Sequence, residues 1–242
     1  MLSVVAVVLA SYLVVRVVWP LRWSRAARTA LAVLVFGLAL HHRIVARFAG
    51  SMASPEIPKA AIAVLGTGFI ALLLTTVFVL LLDALCVIAW ALRRRGVLAA
   101  VRRPGVRPVG AGLALVLSGY GTWQAMAVPQ VRQVEIAIDG LPEAFDGYRL
   151  LQITDLHASR LLTGDWVAEV VAAGNAQRPD LIVLTGDMVD GSPRARADDV
   201  RPLAALQAPD GDYARVSDMV NGQPEVAHNY RREHLLNMWF VV

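Results

Sequence analysis

Four side chains stand where two short runs of this sequence could do chemistry. Asp155 and His157 end the apolar part of "LLQITDLHASR" (150–160), and Asp187 and Asp190 end that of "LIVLTGDMVDG" (181–191). Carboxylate oxygens and a neutral imidazole suit divalent metals of borderline hardness, namely Mn, Fe or Zn. An Asp-x-His pair at a strand end can aim both side chains at one ion, and a carboxylate from the next strand can bridge to a second. Gly186, beside Asp187, frees the backbone for a sharp exit. Two ions held about 3.5 to 4 Å apart can clamp a phosphate, acidify a bound water and stabilise an in-line displacement. Either run alone is as readily a turn or a helix cap, so the weight falls on their order and spacing.

The elements around them must supply that placement. "VRQVEIAI" (131–138) alternates apolar and polar residues, which predicts a half-buried strand, and "LPEAFDGY" follows with turn residues Pro142 and Gly147. "RLLQIT" is a short apolar strand. "GDWVAEVVAAGNAQ" has helical apolar spacing behind a cap at Thr163 or Asp165, and "DLIVLT" is a continuous apolar strand. Strand, helix and strand in this order predict a βαβ unit with parallel strands. Their C-terminal ends then lie side by side, on the edge where open α/β sheets place ligands.

The run "LPEAFDGYRLLQITDLHAS", the helix after it and "RPDLIVLTGDMVDG" resemble the start of a calcineurin-like metallophosphoesterase domain. With a membrane region ahead of it, the chain is similar to the bacterial membrane-associated branch of that family. The resemblance implies an α/β sandwich and a two-metal centre that hydrolyses phosphomonoesters or phosphodiesters. It makes Asp155 and His157 ligands of one divalent ion and Asp187 a bridge between two, with Asp190 supporting them from behind.

The resemblance covers residues 131 to 211. "RPLAALQAPDG" (201–211) fits the family's next helix and turn, but the Gly-Asn-His and Gly-His-x-His blocks that should follow are missing from residues 212 to 242. Asn221, His228, Asn229 and His234 are of suitable types and stand in no matching motif, so no role passes to them. The tail shows one amphipathic segment, near "HNYRREHLL", and an apolar end, "MWFVV". The abrupt loss of pattern predicts a truncated or frameshifted reading frame, with sheet edges of a half sandwich left unpaired.

The first 128 residues belong to a different solvent. They hold 13 Lys or Arg against two acids, Glu56 and Asp83, whereas residues 129 to 242 hold 10 Arg against 17 acids. The basic residues of the chain therefore sit in loops between apolar runs, and no basic stripe with interleaved aromatics indicates nucleic acid. Four apolar runs, at 2–19, 30–48, 62–92 and 109–128, predict four transmembrane spans, the third as one tilted helix. The first reads as an uncleaved anchor, because its arginines follow the apolar stretch rather than precede it. Asp83 reads as a lone hydrated or protonated acid near a helix end, and His41 with His42 as solvated at the interface. Arg16, Arg22, Arg25 and Arg28, and the six arginines from Arg93 to Arg107, place the first and third loops in the cytoplasm. Four spans then put both chain ends outside.

The expected architecture is an α-helical transmembrane region (1–128), a partial α/β metallophosphoesterase sandwich (129–211) and a divergent tail (212–242). The expected function is a phosphoesterase anchored in a bacterial inner membrane, with its catalytic domain on the periplasmic face. The expected substrate is a phosphomonoester or phosphodiester, and a phospholipid or other amphipathic phosphoester fits a site held near the bilayer, since 26 residues separate Pro129 from Asp155. The alternative is a non-catalytic membrane interaction protein with a degenerate phosphoesterase domain. A transporter rests on the spans alone.

Overall fold

A computed structural model of the chain describes residues 2–51, 54–210, 228–229 and 240–241. The chain divides into two compact units, Met1–Met126 and Ala127–Val242.

The first unit is helical: α1 (Leu2–Leu13), a π turn (Val14–Val18), α2 (Arg25–Phe48), α3 (Lys59–Ala91), α4 (Arg95–Val101) and α5 (Val106–Ala125). Ser24 caps α2 by accepting a bond from the Ala27 amide at 3.2 Å. Ala10, Leu13, Ala39, Leu72 and Val79 form a small core among α1, α2 and α3. Gly110 lets α5 close on α3, because a β-carbon there would stand 2.0 Å from the Phe78 ring.

All four predicted spans are helical, but among the described residues two helices, α2 and α3, are long and apolar enough to cross a membrane. The first run falls short on length: its described residues form one apolar helix, Ser3–Val18, whose last turn is a π turn carrying Arg16. In α5 the charge of Arg107, four glycines, Ser118, Thr122 and Gln124 dilute the apolar content. The most apolar stretches of α2 and α3 are largely exposed, whereas the core helix of a soluble domain is mostly buried. The third run is one continuous 33-residue helix, as its length predicted.

Two readings of polar residues in this unit are corrected. Asp83 is not alone: it accepts bonds from Tyr12 Oη, Arg16 Nε and Arg107 Nη2, each at 2.8 Å, and a further one from Arg16 Nη2. His42 is buried rather than solvated, 3.4 Å from Ser3 Oγ, because α1 packs over that turn of α2.

In the second unit β1 (Leu150–Ile153) pairs in parallel with β2 (Leu181–Leu184), Leu150 opposite Leu181 and Ile153 opposite Leu184. Between them α6 (Gly164–Asn175) lays Val167 and Val171 on the sheet, where they bury Ile153, Ile182 and Leu184. Gly174 allows close packing, since a β-carbon there would lie 2.9 Å from Leu151 Cδ2. The βαβ unit is thus as predicted. The strand expected at 131–138 does not form: the segment has no ladder partner among the described residues, and Val134 and Ile136 are exposed. Alternation alone does not make a strand without a neighbouring edge to pair with.

Beyond β2, Ser192 caps α7 (Pro193–Val200) by accepting from the Ala195 amide, with Pro193 in the first turn. A 3-10 turn, Arg201–Ala205, occupies the place of the helix expected there, and its Leu203 closes the core. Arg196 is fully buried and donates to Asp199, whose other oxygen accepts from the Gly164 amide. This ties the start of α6 to α7. In the tail, β3 (His228–Asn229) pairs antiparallel with β4 (Phe240–Val241). Asn221, His234 and most of the amphipathic segment near "HNYRREHLL" lie outside the described residues.

Candidate metal centre

The ladder between β1 and β2 does not stop where the strands end. The Thr185 amide donates to the Ile153 carbonyl, Asp155 to Gly186, His157 to Asp187, Ala158 to Met188 and Asp190 to Ala158, at 2.9 to 3.1 Å. Five backbone bonds thus bind the two strand exits to one another. Buried apolar residues alternate with the polar ones and pin each exit to the core: Leu156 stands between Asp155 and His157, and Met188 follows Asp187.

Asp155, His157 and Asp187 all adopt left-handed backbone, with φ of 52°, 47° and 46°. Such conformations cost a non-glycine residue about 1–2 kcal/mol. Gly186, at φ 124°, takes the conformation that a side chain would find hardest. Strain gathered at successive polar positions is common where side chains must be aimed at a ligand.

The result is a compact donor set. One ligand atom from each of Asp155, His157 and Asp187 lies within 4.8 Å of the others. His157 Nε2 stands 3.3 Å from Asp187 Oδ2. Metal–oxygen and metal–nitrogen bonds of about 2.0–2.2 Å, at ordinary ligand angles, bring two donors to roughly this separation. The residues present therefore fit one divalent ion, with two carboxylates and an imidazole. Among the described residues no second group of three such side chains lies as close.

His157 Nδ1 is 2.9 Å from Asp190 Oδ1. This contact leaves Nε2 facing Asp187, and a carboxylate behind a ligating imidazole fixes its tautomer and raises its basicity. The bond to Asp190 is the main reason that the His157 pKa is raised above its ordinary 6.5; partial burial opposes it, and the charges of Asp190, Asp187 and Asp155 add to it. Thr154, which the sequence did not single out, donates its hydroxyl to Asp155 Oδ2 at 2.6 Å and orients that carboxylate. A hydroxyl residue directly before a strand-end acid was the available signal.

No protein-family profile matches the chain, and no solved structure does. Curated proteins do. A zebrafish transmembrane protein with metallophosphoesterase domain is 27% identical over 84% of the chain and 56% of its own length. An uncharacterised metallophosphoesterase, YkuE, of Bacillus subtilis is 32% identical over 34% of the chain and 29% of its own length. The siroheme decarboxylase NirG subunit of Paracoccus pantotrophus is 60% identical over 40 residues, 16% of the chain and 26% of that subunit. The chain thus spans about half the length of the zebrafish relative and under a third of the other two. A match over 84% of the chain must run through both units, so the transmembrane relative is similar in the helical part as well.

The raised His157 pKa has a checkable sign. The imidazolium–carboxylate contact contributes stability that is complete below the unfolded histidine value and is lost as pH rises through the folded value. An NMR titration of the metal-free chain is expected to place His157 above 6.5, and Asp190→Asn to move it down. An unchanged titration in Asp190→Asn would remove Asp190 as the cause.

Proposed function

Taking the calcineurin-like metallophosphoesterases as the family of this chain, we propose that it is a membrane-anchored, metal-dependent phosphoesterase. The observation that carries the proposal is the convergence of Asp155, His157 and Asp187 on one edge of a βαβ unit, in a chain whose relatives are named metallophosphoesterases. Asp155 and His157 would hold one divalent ion, Mn, Fe or Zn, and Asp187 would reach a second. Divalent ions supply positive charge against phosphoryl oxygens and acidify water. Asp190 keeps the Nε2 lone pair of His157 turned to the centre, and Thr154 steadies Asp155. The substrate class is a phosphomonoester or phosphodiester, and a phospholipid suits a hydrolase carried on a membrane anchor.

Asp187→Ala removes the carboxylate that faces His157 Nε2. Metal-dependent hydrolysis of a chromogenic phosphodiester is expected to fall at least about a hundredfold, a loss that corresponds to roughly 2.7 kcal/mol, and bound metal per chain is expected to fall with it. If the wild-type chain binds no metal and hydrolyses nothing, the non-catalytic interaction protein is the correct reading.

The domain is proposed to face the periplasm of a bacterial inner membrane. With α2 and α3 as spans, the arginines before α2 and after α3 share one side, which the positive-inside rule makes cytoplasmic. The outward placement then requires α5 to cross; its 20 residues have the length, about 30 Å. A phosphatase reporter fused after residue 130 is expected to be active, because that enzyme works only outside the cytoplasm. A fluorescent cytoplasmic reporter active at the same junction would overturn this.

A second reading concerns the tail and rests on the 60% identity over 40 residues to the siroheme decarboxylase subunit. We infer that this match falls on the C-terminal end of the chain, where its 40 residues would take in everything after Gly211 and reach back into the turn before it. The chain would then be composite, with a piece of a second protein family joined in frame. That origin competes with an out-of-frame one, since random translation does not yield such identity. A quarter of a decarboxylase subunit supports no decarboxylation here. Single-molecule sequencing of the message across codons 150–242 is expected to show both segments in one frame, and two separate messages would refute the composite reading.

A further inference from the structure

The charge cluster of the helical unit is unbalanced. Asp83 on α3 receives Tyr12 and Arg16 from the α1 side and Arg107 from α5, so every lone-pair direction of one carboxylate is taken. Two guanidiniums against one carboxylate leave one positive charge over. The other acid of this unit, Glu56, precedes α3, and the helix from Lys59 to Asp83 rises about 36 Å. Glu56 therefore cannot balance the cluster.

The excess has a direction as well as a sign. Arg107, 17% exposed, gives Nη2 to Asp83 while its Nε is buried without a partner among the described residues. Arg16, 40% exposed, sits in the π turn, a local widening of the helix that often marks functional positions. Between Arg93 and Arg107 there are six arginines and no acid. If α3, about 50 Å long, is centred on a hydrocarbon layer of about 30 Å, Asp83 lies just inside the edge of that layer, within reach of the headgroups for a long arginine side chain that extends outward. Planar guanidinium forks match phosphate oxygens better than any other cationic side chain.

We propose that Arg16 and Arg107, held apart by Asp83 and Tyr12 where α1, α3 and α5 meet, form a binding site for one phosphate-bearing anion, a lipid headgroup or free phosphate. The site belongs to the helical unit, and none of its residues is among the metal-ligand candidates Asp155, His157 and Asp187. Asp83 positions the two forks and competes with the anion for them.

The full chain in detergent is titrated with phosphatidylglycerol, phosphatidylcholine and inorganic phosphate, and occupancy is read by native mass spectrometry. Wild-type protein is expected to prefer phosphatidylglycerol to phosphatidylcholine. Arg107→Gln, which leaves a neutral Arg16–Asp83 pair, is expected to lose about tenfold or more in affinity, the worth of one charge-assisted bond. Asp83→Asn, which frees both guanidiniums, is expected to bind at least as well as wild type. Phosphatidylglycerol bound without inorganic phosphate identifies the lipid as the ligand; inorganic phosphate bound as well identifies the phosphate group itself. Unchanged affinity in Arg107→Gln, or phosphatidylcholine bound equally well, overturns the proposal. Should Arg107→Gln fail to fold, Arg16→Gln replaces it with the same expected loss.

Discussion

The parallel pairing of β1 with β2 is the constraint on which the second unit depends. Ile153 opposite Leu184 fixes which residues leave the sheet together, and the backbone ladder then carries that register past the strand ends to Asp190. A slip of one residue would turn Ile153 and Ile182 to the wrong faces and part Asp155 from Gly186. Two features oppose such a slip. Val167 and Val171 of α6 press one face of the sheet, and Leu156 and Met188 are buried within the exits themselves. The polar groups are thus positioned by their apolar neighbours, and the donor set inherits its geometry from the core.

The helical unit is held in another way. Its apolar core is small, and much of its apolar surface faces outward: Leu81 and Val87 are each 65% exposed and Trp90 70%. In a hydrocarbon solvent such surface gives no drive to association, so close contact and polar bonds must do it. Phe78 over Gly110 supplies the first, and Asp83 with its donors supplies the second.

What the sequence made legible follows the range of the physics. Asp155, His157, Asp187 and Asp190 were readable because strand, helix and strand are local patterns and parallel topology brings their ends together. The partners of Asp83 were not readable, since Arg16 lies 67 residues away on a different helix and no periodicity records such a meeting. The alternation at 131–138 is a true signal of amphipathic character, but a strand also needs a partner, and that is a property of the sheet rather than of the segment. The sequence predicts four spans where the described helices support two on length and apolar content together: the first helix is too short, and α5 has the length of a span but a diluted apolar content. Met188 and Leu156 drew no reading from the sequence; their burial shows them to be anchors.

The left-handed backbone at Asp155, His157 and Asp187 also filters what evolution can try. Valine, isoleucine and threonine are disfavoured at these three positions before any question of metal binding arises, because a branched β-carbon collides with its own main chain there. Asparagine, aspartate, histidine and glycine tolerate the same torsions. Drift at the centre is therefore channelled toward residues that still carry donor atoms, or toward glycine, which carries none. A lineage that abandons the chemistry can keep this fold, and its sequence would then show glycine or asparagine at these positions, not an apolar replacement.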